Sequence, residues 1–156
     1  MRRSTALIIA CGAALAATLS ASAGAQGQAN RAEQYLKYRK AVYQVIAWNI
    51  GPLSAMAQDK QPYDAAGFAK HAERVSLLTP MLAESYAPES RNAAESKLKP
   101  EMWTNRADFD EKLRTLVNRS ELLAKTAAGG DAAASKAAFF EMAQACKACH
   151  DRYRAD

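Results

Sequence analysis

The sequence predicts an all-α protein folded as an antiparallel up-down four-helix bundle. Three observations carry this. The 156 residues hold only seven glycines and five prolines, too few for the many tight turns of an all-β fold. Alanine, the best helix former, recurs along the whole chain. Four segments of about 20 residues carry apolar side chains at alternating steps of three and four, and no segment alternates in the strand period. With 49% hydrophobic and 24% charged residues, the chain is not a disordered one.

The chain opens on a leader rather than on the bundle. Arg2 and Arg3 precede an apolar run from Ala6 to Leu19, and small residues follow from Ser20 to Ala25. This is the charged, apolar and small-residue order of a secretory signal peptide. The run is about 14 residues, short of the roughly 20 that span a bilayer. Residues 1–25 are therefore read as a cleaved leader, cut after Ala23 or Ala25, and residues 26–156 as the mature domain without a membrane span. A lipid anchor at Cys11 is disfavoured, because the apolar run continues well past it.

The first bundle helix is expected over about 31–57. Its inward seam is Leu36, Arg39, Tyr43, Ile46, Ile50, Leu53 and Ala57, with Gly51-Pro52 set to kink it or loosen its end. A turn over Gln58–Tyr63 leads to Asp64, a candidate N-cap. The second helix, over about 64–84, carries Phe68, His71, Val75, Leu78 and Leu82, and Pro80 threatens its end. The stretch from Ser85 to Asn105 breaks the periodicity; loops of that length are commonly functional or partly structured. Pro100 to Trp103 suits one short turn with Trp103 tucked inward. The third helix, over about 106–128, carries Phe109, Leu113, Leu116, Ser120, Leu123 and Ala127, and Gly129-Gly130 ends it. Asp131 caps the fourth, over about 132–153, whose stripe is Ser135, Phe139, Met142, Cys146, Cys149 and Tyr153. Up-down order places the end of the fourth helix beside the start of the first and the end of the second.

Removing the leader takes away Arg2, Arg3 and Cys11. The net charge falls from +5 to +3, which does not support a nucleic-acid partner, and two cysteines remain. An exported free thiol pair would not be kept reduced. Those two stand in Cys146-Lys147-Ala148-Cys149-His150, the C-x-x-C-H pattern of c-type haem attachment. On a helix these positions share a face, so two thiols can add to the haem vinyl groups and leave the imidazole beneath the iron. A thioredoxin-like site needs a βαβ context, and zinc needs four ligands, of which only His71 and a carboxylate remain to complete the set.

Given a haem, Arg39 gains a reading. It occupies an apolar seam position, and a buried guanidinium calls for an anion such as a haem propionate. The alternative is an arginine whose head reaches solvent near the helix start. His71, at mid-helix, reads as a satisfied core or interface polar group rather than a ligand. Asn118-Arg119-Ser120 matches a glycosylation pattern but falls inside a helix.

The chain resembles the cytochrome c prime family, the class II c-type cytochromes. The resemblance rests on Cys146 to Asp151 with Tyr153-Arg154, on Lys37-Tyr38-Arg39, on Tyr63 to Ala66, and on Pro100-Glu101 with Trp103, and it spans nearly all of residues 31–156. It implies one haem c per chain, with His150 the only protein ligand of a five-coordinate iron and the distal face closed by apolar or aromatic side chains of the first helix. Tyr43 falls at the distal blocking position and Ile46 one turn on; Tyr86 and Phe139 resemble wall positions. Arg154 would shield the proximal side, its alternative being to complement the helix dipole together with Lys147 and Arg152. Tyr43 also reads as an ordinary core residue. A six-coordinate relative would supply a methionine from the early first helix; positions 32–55 contain none, leaving Met81 as the competing ligand of a low-spin electron carrier.

The functional expectation is a periplasmic haem protein, not an enzyme. It would bind small gases such as nitric oxide and carbon monoxide and exchange electrons with an unidentified redox partner. A peroxidase would want a distal His and Arg pair, and His71 is too far along its helix to serve. The resemblance also implies a homodimer through the first two helices, with Trp48, Phe68 and the alanine-rich faces as candidate contacts.

Overall fold

A computed structural model describes residues 7–155, with side chains described over 26–155. Helix α1 runs over Leu7–Ala57, α2 over Ala65–Leu78, α3 over Glu101–Thr104, α4 over Arg106–Ala128 and α5 over Ala132–Tyr153. The expected helix start near residue 31 is replaced by a longer helix. Its alanine-rich sequence holds no proline before Pro52, so nothing halts the helix within it. The leader assignment, residues 1–25, lies outside the residues whose side chains are described. Among the described residues, no helix is long and apolar enough to cross a membrane.

Pro52 lies inside α1 and the helix continues past it to Ala57. Asp59 then takes a left-handed conformation (φ 54°), and the Lys60 N–H reaches back to the Ala55 carbonyl at 2.8 Å. That is the reversal by which helices commonly end, here built on Asp rather than Gly. Asp64 caps α2, its carboxylate accepting from the Ala66 N–H at 3.1 Å. Asp131 caps α5 in the same way, accepting from Ala134 at 2.7 Å.

The second helix ends earlier than its apolar spacing predicts. Pro80 offers no N–H to the Ser76 carbonyl, and α2 tightens after Leu78 into a 3₁₀ segment over Thr79–Tyr86. A second 3₁₀ turn covers Pro88–Asn92. The long connection is thus largely ordered. Its last part straps the end of α5: Lys99 N–H donates to the Tyr153 carbonyl and Ala155 N–H to the Lys97 carbonyl, both at 2.8 Å. The short turn at Pro100 forms as α3; Met102 is fully buried, and Trp103 is partly buried and packs against the core, with Arg91 5.8 Å from its ring.

Helix α1 packs on α2 and α5, and α4 packs on α2 and α5, so the four long helices close a square. Leu53, Phe68, Val75, Leu82, Phe109, Leu123, Met142 and Tyr153 fill its centre. Burying each such large apolar side chain contributes about 1.5–3 kcal/mol. Every stripe residue expected on the third helix is buried. Where α4 meets the 3₁₀ segment, the buried Ser120 and Thr79 hydroxyls bond to each other at 2.7 Å.

Candidate haem site

Cys146, Cys149 and His150 occupy the last turns of α5, all partly buried and on one side of the helix. The two thiols are unbridged. Burial pushes both thiol pKa values up. Burial lowers that of His150; the Arg154 charge adds to the effect and Asp151 opposes it. These effects favour the neutral imidazole, the form that ligates iron.

Two aromatic residues from other elements meet this turn. The Tyr43 ring, from α1, lies 6.4 Å from the His150 ring, tilted by 59°. Its hydroxyl shares a 3.0 Å hydrogen bond with that of Tyr86, from the 3₁₀ segment. Tyr86 in turn packs edge-on against Phe109, at 4.7 Å between ring centroids. Ile46 is half-buried one turn beyond Tyr43 and packs on the core. Phe139 is buried, but stands eleven residues before His150 on α5, roughly 16 Å along the axis. It belongs to the floor beneath the cysteines.

Arg39 is 6% exposed. Its guanidinium donates to the Ser85 carbonyl at 2.8 Å, to Ser90 Oγ at 3.1 Å and to Ser96 Oγ at 3.4 Å, and lies 4.2 Å above the Tyr86 ring. All three acceptors are neutral, and its Nε is a buried donor with no partner among the described residues. Burial lowers its pKa, with Tyr86 and Tyr43 opposing. A buried cation with an unused donor fits an anionic group such as a haem propionate. The serines that hold it fall in the aperiodic stretch, and no spacing in the sequence marks them.

On the other side of His150, Lys99, Asp151, Arg154 and Ala155 join it around a cleft of about 460 Å³. Arg154 is exposed there, and its N–H caps the His150 carbonyl at 2.9 Å. Met81 is 38% exposed on the 3₁₀ segment. His71, the other inward histidine, bonds through Nδ1 to Asn49 Oδ1 at 2.9 Å, as expected of a satisfied polar group.

A four-helix bundle that ends its last helix on C-x-x-C-H, beneath an aromatic and cationic cap, has the architecture of a class II c-type cytochrome. Residues 34–154 match the sequence model of the family described as Cytochrome C'. The chain is 33% identical over 122 residues to the cytochrome c' of Rubrivivax gelatinosus, covering 76% of this chain and 92% of that protein. The crystal structure of cytochrome c' from the same organism superposes with a TM-score of 0.76 at 30% identity, covering 79% of this chain and 96% of that one. A nitric oxide complex of a mutant cytochrome c prime from Alcaligenes xylosoxidans superposes with a TM-score of 0.73 at 28% identity, covering 80% and 97%. The chain belongs to the cytochrome c' family, and its cofactor is a c-type haem, one per chain.

Proposed function

We propose that this is a periplasmic cytochrome whose iron has one protein ligand and an open face for small gases, nitric oxide and carbon monoxide above all. Cys146 and Cys149 bond the haem vinyl groups, and His150 ligates the iron. The observation that carries this reading is the placing of Tyr43, a non-ligating aromatic in its neutral form, across from His150. Burial and the Tyr86 hydroxyl beside it push the Tyr43 pKa up, and its hydroxyl is engaged by that of Tyr86 at 3.0 Å. Arg39 holds a propionate, Ile46 and Tyr86 line the haem with Phe139 below, and Arg154 screens the proximal side. The nitric oxide complex of the Alcaligenes xylosoxidans relative supports the choice of gas.

The protein binds and carries; it is not an enzyme. The low-spin alternative needs Met81 as the sixth ligand, and the exposure of that side chain weighs against it. Export by residues 1–25 accounts for the compartment. Two such bundles pair through α1 and α2 as a homodimer.

Optical spectra of the haem-loaded protein in both oxidation states test the coordination. High-spin five-coordinate bands are expected, and a sharp low-spin α band would refute the reading. Tyr43→Ala is expected to raise carbon monoxide affinity by opening the distal face. An unchanged affinity would remove Tyr43 as the gate.

A further inference from the structure

The aromatic residue that faces His150 is held by a single polar contact. Tyr43, on α1, is half-buried, and its hydroxyl bond to Tyr86 at 3.0 Å is its one side-chain hydrogen bond among the described residues. Tyr86 stands 43 positions further along the chain, on the 3₁₀ segment, so only the fold brings the pair together.

The two partners differ in how firmly they are fixed. Tyr86 is 5% exposed and held from three sides. The Arg39 guanidinium covers a face of its ring at 4.2 Å, Phe109 meets the ring edge-on at 4.7 Å, and its carbonyl accepts from the Arg106 guanidinium at 2.8 Å. Both arginines are themselves anchored, Arg39 on Ser85, Ser90 and Ser96, and Arg106 on Asp110 at 2.8 Å. Turning the Tyr86 ring would disrupt its contacts with Arg39 and Phe109 together. Turning the Tyr43 ring breaks one polar contact, the bond to Tyr86.

We propose that Tyr86 is a positioning residue that latches the Tyr43 ring across the open face of the site, so that a gas is admitted only when the hydroxyl bond between them breaks. The proposal rests on the gate reading of Tyr43 above. When Tyr43 moves aside, water can satisfy its hydroxyl. Tyr86 cannot follow, because Arg39 and Phe109 hold its ring, and its hydroxyl is left buried without a partner. An unmade hydrogen bond of that kind is costly. The cost falls on the open, gas-bound form alone, and it therefore lowers affinity for every gas.

The test is a cycle of conservative variants of the ferrous haem-loaded protein, with carbon monoxide as probe. Phenylalanine keeps each ring and removes only the latch. Carbon monoxide accepts hydrogen bonds weakly, so neither hydroxyl contributes much to holding it. Tyr86→Phe is expected to raise affinity about tenfold, the scale of one buried hydrogen bond. The gain should lie in the association rate measured by stopped-flow mixing, with dissociation unchanged, because the bond is already broken once the gas is bound. Tyr43→Phe should give the same gain, and the double variant no more than either alone. An unchanged association rate in Tyr86→Phe, or gains that add in the double variant, would overturn the latch. If Tyr43→Ala speeds association while Tyr86→Phe does not, the gate stands and the latch falls. If Tyr43→Ala also changes nothing, the gate falls and the latch with it.

Discussion

Arg39 is the side chain on which the haem end of the molecule turns. It interrupts an apolar seam, yet it is buried and ties α1 to Ser85, Ser90 and Ser96 of the long connection. Hydrogen bonds from a charged group are worth about 1.5–3 kcal/mol, and losing this donor also strands a buried carbonyl. Arg39→Leu is therefore expected to lower the unfolding free energy of the haem-loaded protein by about 2–3 kcal/mol in a urea titration. A loss of only a few tenths would mean the serines do not depend on it. His71 offers a separate, pH-dependent test. Burial lowers its pKa from 6.5, helped by Lys70 and Arg74. The unfolded chain then holds that proton more tightly than the folded one. Stability is complete above the ordinary imidazole range and falls as the pH drops through it. The urea midpoint should fall between about pH 7.5 and about pH 5, and His71→Gln should remove most of that fall. An equal fall in the variant would assign the effect elsewhere. His150 does not confuse the comparison, because iron holds it in the haem-loaded protein.

Among the elements, the caps were readable and the helix end at Pro80 was not. Asp64 and Asp131 each stand before an apolar-periodic run, and each accepts the expected backbone bond. Pro80 was visible as a threat to α2, but spacing alone does not say whether a helix kinks, stops or tightens. The chain tightens into a 3₁₀ segment that keeps Leu82 and Tyr86 buried. Gly67 carries a prediction at this scale. Gly→Ala inside a helix ordinarily gains about 0.5–1 kcal/mol. Here a Cβ at residue 67 would run into the Asp64 carboxylate, whose cap is worth about 1 kcal/mol. Gly67→Ala should leave the melting temperature unchanged or lower it. A clear rise would show that the cap relocates at no cost.

Among the described residues, several large apolar side chains stand exposed on the assembled molecule. Trp48 is 76% exposed on α1, with Val45 exposed on the same helix and Leu77 exposed on α2. Phe68, the other aromatic residue expected at a dimer contact, is fully buried in the core and serves no interface. Its place is set by the cap at Asp64, which turns the stripe of Phe68, Ala72 and Val75 inward. A proposed homodimer through α1 and α2 therefore rests on Trp48. Trp48→Glu should yield a monomer in sedimentation velocity while the haem spectrum stays the same. A persistent dimer would place the contact on another face.

The sequence by itself determined the four long bundle helices, the caps, the α4 and α5 seams and the C-x-x-C-H turn. Each of these depends on residues within a few positions of one another, and local spacing records such relations. The family resemblance followed from the same short motifs. The tertiary structure alone decided that Arg39 rests on three serines, that Met102 is buried more deeply than Trp103 beside it, and that Tyr43 meets Tyr86 across from His150. It alone placed Phe139 below the site and packed Phe109 between Tyr86 and Tyr153. Those contacts join residues tens of positions apart. They exist only once four helices close on one core, and no periodicity along the chain encodes which side chains then meet.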